Sequence, residues 1–118
     1  NAQGEVYRSY CHVYDLLSTL LSELINTRKL PIDPIFEVGG DEIVEMSDLA
    51  KYVMLALDLD AKHLIRPIFD PSLEPNNYYS DNTQFNKLAK INQINKTPLI
   101  TTIDDTIRYM NDRDTKLE

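Results

Sequence analysis

Val13, Leu16, Leu17, Leu20, Leu21, Leu24 and Ile25 recur at helical spacing, with Ser18, Ser22, Glu23 and Asn26 on the opposite side. The spacing predicts an amphipathic helix over roughly residues 14–28 that stops before Pro31 and Pro34. Ahead of it, Val6 to Cys11 alternates and has strong β-propensity, with Val6, Arg8 and Tyr10 on one face of a short strand and Tyr7, Ser9 and Cys11 on the other. Pro34 to Val38 reads as a second strand, closed by the pair Gly39-Gly40. Ser47 stands at an N-cap position ahead of Leu49, Ala50, Val53, Met54, Ala56 and Leu57, which predicts a helix over about 48–58. Leu64 to Phe69 is apolar and β-rich, but Pro67 lacks a donor and demotes it to an edge strand. Asp70 to Ser80 reads as a loop. Asp81 can cap a short helix carrying Phe85, Leu88 and Ala89, and Thr101 to Asp105 resembles a capping box opening a helix with Ile103, Ile107 and Met110. The expected fold is α/β: one small mixed domain over residues 1–118, with short strands and about four helices.

The 118 residues, 42% hydrophobic and 26% charged, have the balance of a chain that buries a core. Twelve Lys and Arg against 19 Asp and Glu give a net charge of -7, which repels a polyanionic backbone, so nucleic acid is not an expected partner. No stretch approaches the roughly 18 to 20 apolar residues of a membrane span, and a soluble cytoplasmic location is expected. Cys11, the single cysteine, can form neither an internal disulfide nor a CxxC knuckle. The polar start Asn1 to Glu5 runs at once into a strand, and the end Leu117-Glu118 is a dipeptide that expression vectors leave before a tag; both fit a fragment of something larger.

The chain contains no GxGxxG or GxxxxGK[ST] loop, no HExxH and no GxSxG, and His12 and His63 have no carboxylate spacing that points to a metal. Catalysis by this chain alone is not expected. Asp15, at the start of the strongest helix, is expected to cap it or to favour its dipole, and His12 and Cys11 to pack between strand and helix. The segment Gly39-Gly40-Asp41-Glu42 is similar to the GGDE of diguanylate cyclases, whose carboxylates serve metal and nucleotide chemistry. The family's usual phenylalanine is replaced by Ile43, and the plainer reading is a strand that ends in a glycine turn.

A broader resemblance rests on Arg8-Ser9-Tyr10-Cys11-His12-Val13-Tyr14-Asp15-Leu16, Phe36-Glu37-Val38-Gly39-Gly40-Asp41-Glu42, Met46-Ser47-Asp48-Leu49-Ala50, Tyr78-Tyr79-Ser80-Asp81 and Thr97-Pro98-Leu99, in that order over about a hundred residues. This succession resembles the C-terminal part of the extended short-chain dehydrogenase/reductases, the NAD-dependent nucleotide-sugar epimerases and dehydratases. The resemblance implies the substrate-binding part of a Rossmann-type enzyme, with the glycine-rich NAD or NADP loop and the Tyr-x-x-x-Lys pair in an N-terminal half that this chain does not contain. It implies no cofactor site and no catalytic residue here, a nucleotide-sugar as ligand, and either that N-terminal half or a homo-oligomer as protein partner.

By the same resemblance Arg8 reaches the substrate diphosphate, for which a planar guanidinium offers two charge-assisted hydrogen bonds. Asn77 stands where the family often has a second arginine and can donate one neutral hydrogen bond, and Tyr78 beside it can stack on or hydrogen-bond a sugar or base. Glu37 replaces the family's asparagine; a carboxylate cannot donate to a phosphate.

Overall fold

The computed structural model describes residues 3–26, 37–65 and 69–114. Along them run β1 (Val6–Ser9), α1 (Val13–Asn26), β2 (Ile43–Glu45), α2 (Met46–Ala56), a single 3-10 turn (Ala61–His63), β3 (Asn76–Tyr78), α3 (Thr83–Ile91) and α4 (Leu99–Asp114). The described residues thus form a small mixed α/β chain with four α-helices and one sheet of order β2-β1-β3. No described helix is long and apolar enough to cross a membrane. The chain divides into two compact units, one of Asn1–Arg8, Val44–Tyr78 and Ile100–Glu118, the other of Ser9–Ile43 and Tyr79–Leu99.

In the first unit Val6, Val44 and Ile103 are buried. β1 and β3 run parallel, with Val6 opposite Asn76, Tyr7 opposite Asn77 and Arg8 opposite Tyr78. The loop expected over 70–80 therefore contains a strand. Asn-Asn-Tyr has little β-propensity of its own, and the ladder to β1 supplies what propensity does not; the Asn76 N–H donates to the Glu5 carbonyl at 2.8 Å. α2 starts two residues earlier than the Ser47 cap implies. Glu45 is the cap: its carboxylate accepts the Ser47 N–H at 2.7 Å and the Ser47 hydroxyl, and also takes the Val6 N–H at 3.3 Å.

In the second unit α1 lies against α3, around buried Phe85, Leu88, Ala89 and Leu99. The face of α1 turned into this unit is its polar one. Asp15 and Thr19 are 3% and 1% exposed, and the Thr19 hydroxyl donates to the Asp15 carbonyl at 2.8 Å. Leu17, Leu20, Leu21, Leu24 and Ile25 are exposed, the last two by 74% and 77%. The leucine stripe is thus left uncovered by the described residues of this chain.

α3 begins at Thr83, one residue later than an Asp81 cap implies: Asn82 occupies the N-cap position without a side-chain capping bond, and Asp81, just before it, accepts the Thr83 N–H at 3.0 Å; hydrogen bonds from the Thr83 side chain and backbone hold Asp81 below the usual carboxylate range. It ends in a Schellman motif: the Ile94 N–H donates to the Ala89 carbonyl at 2.8 Å, and the Gln93 N–H to the Lys90 carbonyl at 3.2 Å. Gln93 adopts φ 56°, a conformation that favours glycine. Gln93→Gly is expected to stabilise the chain by about 0.5–1 kcal/mol, the relief of left-handed strain exceeding the extra entropy of a glycine when unfolded. The urea midpoint checks it; an unchanged or lower midpoint overturns it.

α4 starts at Leu99, two residues before the Thr101 capping box, because Glu42 caps it from a distant segment: Oε1 accepts the Leu99 N–H at 2.6 Å. Of the strand expected at 34–38, residues 34–36 lie outside the described residues, and Glu37 and Val38 join no strand. Of the edge strand at 64–69, residues 66–68 lie outside the described residues, and Leu64, Ile65 and Phe69 join no strand.

Candidate functional site

The parallel pairing of β1 and β3 brings Arg8 beside Tyr78 inside the first unit. Side chains alternate along a strand, and partners in register share a face. Val6, Arg8, Asn76 and Tyr78 therefore line one face, and Tyr7 and Asn77 the other. The guanidinium carbon of Arg8 lies 5.6 Å from the centroid of the Tyr78 ring, within cation–π range. Its Nη1 donates to the Tyr7 carbonyl at 2.7 Å and to the carbonyl and the side-chain Oδ1 of Asn76, each at 3.1 Å. Nε and Nη2 of Arg8 make no hydrogen bond among the described residues. Tyr78 is 78% exposed, so most of its ring meets solvent.

Of the three residues singled out in the sequence, Arg8 and Tyr78 come together and Asn77 does not join them. Asn76 takes that place. The signal was within reach, since β1 and β3 in parallel register put residues of one parity together; without a strand at 76–78 there was no parity to read. On the opposite face the Tyr7 hydroxyl donates to Glu5 at 3.1 Å, and that carboxylate raises the phenol above its ordinary pKa, through the hydrogen bond first and the negative charge second.

The acidic Gly39 to Glu42 segment lies in the second unit, where its polar groups hold neighbouring segments together. Asp41 pairs with Lys96 and accepts from Asn86 at 3.2 Å, and the Lys96 ammonium also donates to Asn86 Oδ1 at 2.6 Å. Glu42 caps α4, the Gly40 carbonyl accepts from Asn82 at 2.6 Å, and Glu37 accepts the Asp81 N–H at 3.0 Å. A cavity of about 180 Å³ beside Tyr10, Gly40, Glu42 and Thr97 and an open groove of about 500 Å³ beside Asn86, Lys90, Gln93 and Asn95 share Asp41 and Lys96 in their walls. That charge pair is closed on itself and on Asn86, so neither hollow presents an unpaired charge from it. Among the described residues no group of three or more His, Cys, Asp or Glu is arranged to hold a metal ion.

His12 caps α1, its Nδ1 accepting the Tyr14 N–H at 3.1 Å, so of the two roles expected of Asp15 the cap falls to His12, while Asp15 stands in the first turn, where its charge favours the dipole. Asp15 also accepts the Thr97 N–H and hydroxyl, both at 2.7 Å. The Cys11 thiol is pushed up by burial first and by the nearby Asp15 charge second, which opposes thiolate chemistry. Compared with protein-family models, with curated proteins and with solved structures, the chain matches none.

Proposed function

We propose that this chain is the substrate-binding, C-terminal portion of an NAD(P)-dependent nucleotide-sugar epimerase, dehydratase or reductase of the extended short-chain dehydrogenase/reductase kind, not catalytic by itself. The reading grows from the ordered sequence resemblance, and the observation that carries it is the Arg8–Tyr78 pair. The unbonded Nε–Nη2 edge of a guanidinium matches two oxygens of a phosphate, and an exposed aromatic ring beside it offers a stacking surface for a sugar or base. Asn77, on the other face of β3, would contact such a ligand only beyond that surface.

In this reading the outward leucines of α1 dock on the missing N-terminal half, which brings the dinucleotide, the catalytic tyrosine and lysine and the Rossmann-type sheet, in a soluble cytoplasmic enzyme. The same face also supports a second reading, a non-catalytic interaction module that keeps the family's shape without its ligand. Nothing in the Asp41 and Glu42 contacts supports a cyclase. Arg8→Ala in a full-length parent is expected to weaken nucleotide-sugar binding by about 1.5–3 kcal/mol, the range for a hydrogen bond to a charged group. Titration calorimetry checks this; an unchanged dissociation constant removes Arg8 from the site and favours the interaction module.

A further inference from the structure

We infer that Asn76 is a positioning residue that turns the two-donor edge of Arg8 outward; the inference rests on the reading of Arg8 as an oxyanion ligand. A free arginine side chain samples many rotamers, and ordering it on binding opposes affinity. Here the ordering is already in place. Nη1 is held by oxygens of Tyr7 and Asn76, and the Tyr78 ring lies against the guanidinium. Two of those oxygens are main-chain carbonyls, fixed wherever β1 pairs with β3. They define where Nη1 sits, but a planar group pinned at one nitrogen can still swing about that point.

The Asn76 Oδ1 contact, 3.1 Å from the same nitrogen, removes that swing, because it adds an acceptor that moves with neither carbonyl. Acceptors gathered on Nη1 leave Nε–H and one N–H of Nη2 parallel and unoccupied, which is the geometry that takes two oxygens of one phosphate or carboxylate. Asparagine suits this task. Its oxygen orients the cation without a charge, whereas aspartate at the same place would hold Arg8 equally well and repel an incoming anion. β3 thus contributes two side chains to one arginine: Asn76 sets its edge, and Tyr78 covers its flank.

The experiment uses the 118-residue chain and inorganic pyrophosphate as probe. The {1H}-15N heteronuclear NOE of the Arg8 Nε–Hε group reports its order, and calorimetry at fixed ionic strength reports pyrophosphate affinity, for wild type, Asn76→Ala, Asn76→Asp and Arg8→Ala. Asn76→Ala is expected to lose Nε–Hε order and to bind pyrophosphate about five- to tenfold more weakly at an unchanged thermal midpoint. Asn76→Asp is expected to keep the order and still lose affinity. Nε–Hε order in Asn76→Ala equal to wild type overturns the inference, as does wild-type affinity in that variant when Arg8→Ala has lost binding. Wild-type and Arg8→Ala chains that bind pyrophosphate equally overturn the reading of Arg8, while the NOE still decides whether Asn76 holds it.

Discussion

Gly40→Ala is expected to destabilise the chain by about 3 kcal/mol or more, while Gly39→Ala one residue earlier costs about 1 kcal/mol. A Cβ on Gly40 would run into the Tyr10 carbonyl oxygen and stand 2.9 Å from its carbon, so one backbone would have to leave the other. A Cβ on Gly39 would meet side-chain tips only, Ser9 Oγ at 2.7 Å, Ser80 Oγ at 2.9 Å and Asn82 Oδ1 at 3.0 Å, and hydroxyls turn away more cheaply than main chain moves. Neither glycine has a positive φ, so the requirement is for space rather than for left-handed backbone. Urea unfolding of the two variants decides it. Equal losses would show that the approach of Tyr10 to Gly40 is not what the second glycine serves.

The glycine pair illustrates how much of this fold the sequence carries. Elements that announce themselves through local pattern lie close to where the spacing puts them: α1 by its leucines, α3 by Phe85, Leu88 and Ala89, and β1 by its β-prone alternation, although β1 stops at Ser9 rather than at Cys11. What depends on a distant partner was not legible. β3 exists because β1 lies beside it, and α4 starts ahead of Thr101 because Glu42, 57 positions away, supplies its cap; the early start of α2 is local, since Glu45 immediately before it takes the capping role assigned to Ser47. The Gly39–Glu42 segment invites a chemical reading for the same reason. Its glycines and carboxylates are unusual in sequence, but their partners, Tyr10, Lys96, Asn86 and Leu99, become visible only when the chain is folded.

The leucine stripe of α1 is legible in the sequence as a stripe, but the surface it covers is not. Periodicity shows that a helix has an apolar face; it does not say which surface that face will cover. Here the inward contacts are made by Asp15 and Thr19, and five apolar side chains from Leu17 to Ile25 remain exposed.

Asp15 carries the last and most local of the expectations. Asp15→Ala is expected to cost about 3 kcal/mol, because it removes both acceptors of the Thr97 N–H and hydroxyl and leaves those donors partly buried without partners. The carboxylate is 3% exposed and joins the first turn of α1 to the residues that lead into α4, so its loss is felt across 82 positions of sequence. Thr97→Val removes only the hydroxyl bond and should cost about 1 kcal/mol. Asp15→Asn keeps one acceptor for the N–H and offers an amide to the hydroxyl oxygen, so it should fall between the two. If the carboxylate and Thr97 act as one latch, the double variant Asp15→Ala with Thr97→Val should lose less than the two single variants added together, by about 1 kcal/mol. Strictly additive losses by urea denaturation would mean that Asp15 stabilises the chain through α1 alone, as the sequence first implies.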